Sequence, residues 1–225
     1  MTGARTGIPE PSAGGGGRVH RPRAGTAQRR DEILRAALRT FGSKGYHNGS
    51  LAEVADQVGI THAGVLHHFG SKDQLLIEAL EFRDRVDVEH LEGQHIPGGI
   101  DLFRHLQLTA RLNAERRGIV QAYSVLTGEA VTEGHPASDW VRNRFTVLRG
   151  EITAALRAVV LDDAGDEPAD VDEAVLERAA SAIIAVMDGL QNQWLLDPDA
   201  VDLADSTAFA IEAILESTRA TARRR

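Results

Sequence analysis

The chain has 225 residues, 42% hydrophobic and 26% charged, with a formal net charge of −8, which is enough for one or two domains with a real core. It contains no cysteine, which excludes disulfides, thiolate metal sites and a cysteine nucleophile. The charge is uneven: residues 1–72 hold ten Lys/Arg against five Asp/Glu, a net +5, and the remaining 15 basic and 28 acidic residues give 73–225 a net −13. A basic end on an acidic body suits a polyanionic partner at that end, although a solvated tail beside an acidic domain has the same composition.

Residues 1–25 read as a disordered basic tail, with Pro9, Pro11, Pro22 and the run Gly14 to Gly17 and almost nothing apolar to bury. They lack the continuous apolar stretch of a secretory signal, and no apolar run anywhere approaches the ~20 residues of a membrane span. The expectation is a soluble, cytoplasmic protein that makes no contact with membranes. Arg18, Arg21 and Arg23 in this tail are placed to add salt-sensitive, non-specific affinity for a nucleic acid.

"TAQRRDEILRAALRTFGSKGY" opens the folded part. Ile33, Leu34, Ala37, Leu38 and Phe41 recur at helical spacing, and Gly42 or Gly45 ends that helix. In "NGSLAEVADQVGI", Ser50 and Glu53 form a capping box, Leu51, Val54, Ala55 and Val58 make an inner face two turns long, and Gly59 stops it. Thr61 caps the next short helix, with Val65 and Leu66 inward; Ser71 and Gln74 repeat the box and open a longer helix. Two short helices joined at Gly59-Ile60-Thr61, with a longer helix before them, make a three-helix helix-turn-helix unit over 26–72. An ordinary αα-corner is the plainer alternative; the basic flanks and the polar outer face of 61–68 favour a nucleic-acid reader.

The rest, 73–225, reads as a larger helical domain. "GIDLFRHLQLTARLNAERRG" turns Leu102, Phe103, Leu106, Leu108 and Leu112 to one face, and "HPASDWVRNRF" places Pro136 in a first helical turn. "DDAGDEPAD" is an acidic linker before two apolar-rich helices. No strand-like alternation appears, so the fold class is all-α.

Residues 29–76 resemble the DNA-binding region of the tetracycline-repressor (TetR) family of bacterial regulators. The matching stretches are "RDEILRAALRTFGSKGY", "SLAEVADQVGIT" and "AGVLHHFGSKDQLL", in the family's order and spacing. Two positions depart from the pattern: Leu66 stands where the family often has a phosphate-touching Tyr, and Gly64 where it often has a hydroxyl residue. The resemblance implies a C-terminal ligand-binding and dimerisation domain. It also implies a homodimer that reads a palindromic double-stranded operator and is released by a small molecule.

On this reading His62 and Ala63 sit where base-edge contacts fall, and His67 at the helix end faces the DNA. Thr61 and Ser50 cap helices whose first amides can meet phosphate. Lys72, Arg29 and Arg30 are phosphate candidates, with exposed charge as the plainer alternative. His68 and Phe69 pack inward. A metal site built from His62, His67 and His68 is disfavoured, because adjacent residues diverge by ~100° around a helix and no carboxylate is near in sequence.

For the ligand, Phe82, Val86, His105, Thr109, Tyr123, Thr127, Trp140, Phe145, Gln191 and Trp194 mix apolar walls with polar fixers; each taken alone reads equally as core. For the subunit interface the family's last two helices serve, pointing to Ala182, Ile183, Val186, Leu190, Ala208, Ile211 and Ile214. No Gly-rich phosphate loop and no His-Glu-x-x-His occurs, His90 and His95 do not share a face, and Asp84, Asp87, Asp162 and Asp163 read as exposed acids. An enzyme, a metal and a cofactor are therefore not expected. The alternative kept open is a helical interaction or ligand-binding module that has lost specific DNA binding.

Overall fold

The computed structural model describes residues 24–88, 96–165 and 171–222. The basic tail with Arg18, Arg21 and Arg23, His90 and His95, and most of the acidic linker lie outside the described residues. Within them every regular element is a helix: α1 (Ala24–Asn48), α2 (Leu51–Val58), α3 (His62–Phe69), α4 (Lys72–Val88), α5 (Gly99–Ala114), α6 (Arg117–Glu129), α7 (Ser138–Ala164), α8 (Glu173–Leu196) and α9 (Leu203–Ala222). No helix among the described residues is long and apolar enough to cross a membrane.

The apolar stripe of α1 is buried as its spacing predicts, with Ile33 and Phe41 fully covered. The two glycines near its end do different work. Gly42 does not end the helix. It lies against α6, where an added Cβ would come within 2.7 Å of the Ala122 Cα, so only a glycine lets these backbones cross this closely. Gly45 is the break: its φ of 75° and ψ of 170° kink the chain, and the next amide, of Tyr46, donates to Glu129 of α6 at 2.7 Å.

The capping box on α2 is complete: the Glu53 amide donates to Ser50 Oγ at 3.1 Å and the Ser50 amide to Glu53 Oε2 at 3.3 Å. Gly59 takes the left-handed conformation, φ 67° and ψ 37°, and the Ile60 amide closes the turn on the Ala55 carbonyl at 3.1 Å. Thr61 caps α3, accepting from the Gly64 amide at 3.0 Å. At α4 only half of the expected box forms. Ser71 Oγ accepts from the Gln74 amide, but the Gln74 side chain runs forward to Glu78 at 3.3 Å.

The packing divides into two main cores. The first joins α1–α4 to Ala122 and Leu126 of α6 and Val141 of α7, so the helix-turn-helix head is fused to the body. A domain boundary at 72/73 falls inside the first turn of α4, where packing is continuous. The second core joins α5, α7, α8 and α9; Phe145 touches both. Two local expectations change. Leu108 is 38% exposed, lying off the buried face that Leu102, Phe103 and Leu106 share. Pro136 precedes α7, in a turn that the Ser138 amide closes on the His135 carbonyl at 3.0 Å.

Candidate nucleic-acid interface and buried cavity

Short, well-capped helices hold the head's outer surface. Val65 and Phe69 anchor α3 to the core, and Leu66 packs on its edge. That leaves Thr61, His62, Ala63 and His67 exposed together on the opposite side. Ser50 stands at the N-terminus of α2, and Lys72 at the start of α4 donates to the His47 carbonyl at 3.2 Å while its ammonium lies 4.5 Å from the Tyr46 ring. Arg29 donates to the Val58 carbonyl at 3.0 Å and pairs with Glu32, yet its side chain stays 44% exposed.

Arg30 is held more tightly than the rest of this group. Its guanidinium bonds the His68 carbonyl, pairs with Glu78 of α4 and lies 4.3 Å over the Phe69 ring. That engagement clamps α3 between α1 and α4 and occupies both terminal nitrogens of the guanidinium. The imidazoles of His67 and His68 are 5.9 Å apart with planes at 64°. Burial, then the charges of His67 and Arg30, hold His68 below the usual histidine range. Among the described residues no group of three His, Cys, Asp or Glu is placed to hold a metal ion.

A cavity of about 590 Å³ opens among α4, α5, α6, α7 and α8. Five of the ten ligand candidates line it: His105, Thr109, Tyr123, Trp140 and Gln191. The other five do not. Phe82 is core beneath α1, Val86 packs beside it, and Phe145 fills the space between the two cores. Thr127 donates back to the Tyr123 carbonyl at 2.7 Å, and Trp194 forms a separate cluster with Val120 and Leu203.

The charged residues of the cavity are what sequence reasoning missed. Asp87 is 8% exposed, not a surface acid: Arg83 reaches it at 3.0 Å and Arg116 at 3.1 Å. Asp84 is half-buried between Arg83, at 3.0 Å, and Arg144 of α7. Both arginines lie over Tyr123, at 4.4 and 5.3 Å from its ring. Burial works against the charge on Arg144, but Asp84 and Tyr123 outweigh it and hold the guanidinium above its ordinary range. Across the cavity on α8, burial pushes the Asp188 carboxyl up to about 6 against the pull of Arg144 and Arg83. The spacing of Arg83 and Asp87, one turn apart on α4, was a usable signal; the partners from distant helices were not.

Of the residues expected at a subunit interface, Ile183 and Ile211 are buried inside the chain's own core, at 0% and 1% exposure, and have no surface to offer. Ala182 is exposed, and Val186, Leu190, Ala208 and Ile214 are half-buried. The large apolar side chains left bare at this end are Leu196, 87% exposed, and Phe209, 75% exposed.

A helix-turn-helix head with an outward-facing second short helix, carried on a larger helical body, is an arrangement suited to docking in a DNA groove. Residues 33–79 match the model of the bacterial regulatory proteins of the TetR family. Its relatives include the regulator ArpR of Pseudomonas putida, 28% identical over 89% of this chain and 96% of that one. The regulator TtgR, also of Pseudomonas putida, is 27% identical with the same coverage. A TetR-family regulator of Agrobacterium tumefaciens shares the fold, with a TM-score of 0.65 and 19% identity over 85% of this chain and 98% of that one.

Proposed function

We propose that this protein is an effector-released repressor that binds a palindromic operator as a homodimer. Thr61, His62, Ala63 and His67 face the major groove. Ser50, Lys72 and Arg29 meet the flanking phosphates. The dimer forms through the outer faces of α8 and α9, which leave Ala182, Ala185 and Leu196 of α8 and Phe209 of α9 exposed. One short helix reads few bases, and a two-fold pair reads two half-sites.

The observation that carries the effector reading is the continuity of α4. Its first two turns hold the head through Asp73, which accepts from the Tyr46 hydroxyl, and through Glu78, which pairs with Arg30. Its last turns put Arg83, Asp84 and Asp87 on the cavity wall. A molecule that binds one setting of α4 a few kcal/mol more tightly shifts the spacing of the two heads.

Fluorescence anisotropy on a duplex from the gene's own upstream region, against a scrambled duplex and across a salt titration, tests the DNA reading. Tight binding to the native duplex alone, weakening steeply with salt, is the expected result. Equal weak binding to both would instead support a module that has lost specific contacts.

A further inference from the structure

We propose, resting on the reading of the cavity as the effector site, that its ligand is an uncharged amphipathic molecule whose hydroxyl sits between the Asp188 carboxylate and the Arg144 guanidinium. The first argument is charge balance. Arg83 and Arg144 on the cavity wall, with Arg116 paired to Asp87 from outside it, match Asp84, Asp87 and Asp188 in charge. At its exposed mouth Arg85 and Glu151 offset each other. An ionic ligand of either sign would leave one charge in surplus in a poorly solvated space.

The second argument is hydrogen-bond capacity. The ion pairs of Arg83 and Arg144 run to Asp84 and Asp87, and none among the described residues reaches Asp188, although both guanidiniums act on it through space. The Nε–H groups of Arg83 and Arg144 are buried without an acceptor among the described residues. Between a carboxylate that needs a donor and N–H groups that need an acceptor, the fitting group both donates and accepts. A hydroxyl does this; an ammonium only donates and a carboxylate only accepts.

The rest of the cavity fits the body of such a molecule. Leu106, Leu148, Ile152, Ile184 and Met187 supply an apolar wall. Thr109 Oγ1, Asn113 Nδ2 and Gln191 Oε1 are buried there without partners among the described residues, ready for a second polar substituent. A volume of about 590 Å³ suits a molecule of two or three rings or a comparable chain.

Three probes on one scaffold test this by calorimetry on the full chain at neutral pH: biphenyl-4-methanol, biphenyl-4-carboxylate and the ammonium form of 4-phenylbenzylamine. The alcohol should bind about tenfold more tightly than either ion. Asp188→Asn should weaken the alcohol about tenfold and raise the carboxylate above the ammonium, because a positive charge is then in surplus. Arg144→Gln should favour the ammonium for the converse reason. An ion outranking the alcohol on the unaltered protein, an unchanged ranking in Asp188→Asn, or no binding of any probe up to about 1 mM overturns the proposal. Release of the operator duplex is measured separately. An alcohol that binds without releasing DNA leaves the cavity chemistry standing and removes the effector reading instead.

Discussion

Opposite chemistry fills the core of the head and the wall of the cavity. Around Phe41 the head is apolar, and its polar groups are closed by caps: Ser50 on α2, Thr61 on α3, Ser71 on α4. Around Tyr123 the body buries arginines and aspartates and leaves Thr109, Asn113 and Gln191 with unmatched atoms. A satisfied apolar core fixes one geometry, as a surface that must match a DNA groove requires. Unmatched buried polar groups are a standing cost, and a site that binds another molecule is where such a cost is kept.

Substitutions sharpen that contrast. Phe41→Ala, at 0% exposure, should lower stability by about 3–5 kcal/mol and abolish DNA binding with it, read as a drop in unfolding midpoint and lost anisotropy. Asp188→Asn should do the reverse in the cavity. The Asp188 carboxyl titrates near 6 in the folded chain against 3.8 when unfolded, so its ionisation opposes folding at neutral pH and not below about pH 4. The variant should gain about 2 kcal/mol at neutral pH, and the gain should vanish on acidification. A stabilisation independent of pH would mean that the carboxylate is not strained there.

Gly42→Ala should cost about 1–2 kcal/mol, because crowding Ala122 outweighs the better helix propensity of alanine; chemical denaturation measures it. The smallest effect belongs to His135, a buried residue at the junction of the two regions. Burial holds its pKa down, against the opposing pull of Glu129, and its neutral Nδ1 accepts from the Ala137 amide at 3.2 Å. Folding therefore disfavours protonation, and stability is lost as pH falls through about 6.5. His135→Gln should flatten that acid loss by about 1 kcal/mol, the worth of one such hydrogen bond.

The head was the more legible region because its signals are local. A cap and the amide it satisfies lie three residues apart, so Ser50, Thr61 and Gly59 could be read in place. The cavity's charges are long-range. Asp87 sits in the stretch "RDRVDV", which reads as a solvated face until Arg116, from another helix, is seen beside it. Ile183 and Ile211 failed for a related reason. Helices α8 and α9 are apolar on more than one side, and spacing alone does not say which side meets α5 and α7 and which stays exposed.

The contact between Gly42 and Ala122 has a mechanical corollary. At this one point α1 and α6 meet backbone to backbone, with no side chain between them to change rotamer. Beside it, buried Leu126 and the bond from the Tyr46 amide to Glu129 tie the same two helices. The junction is a weld rather than a hinge, so a displacement of α6 would carry the head, and with it His62 and His67, as one piece.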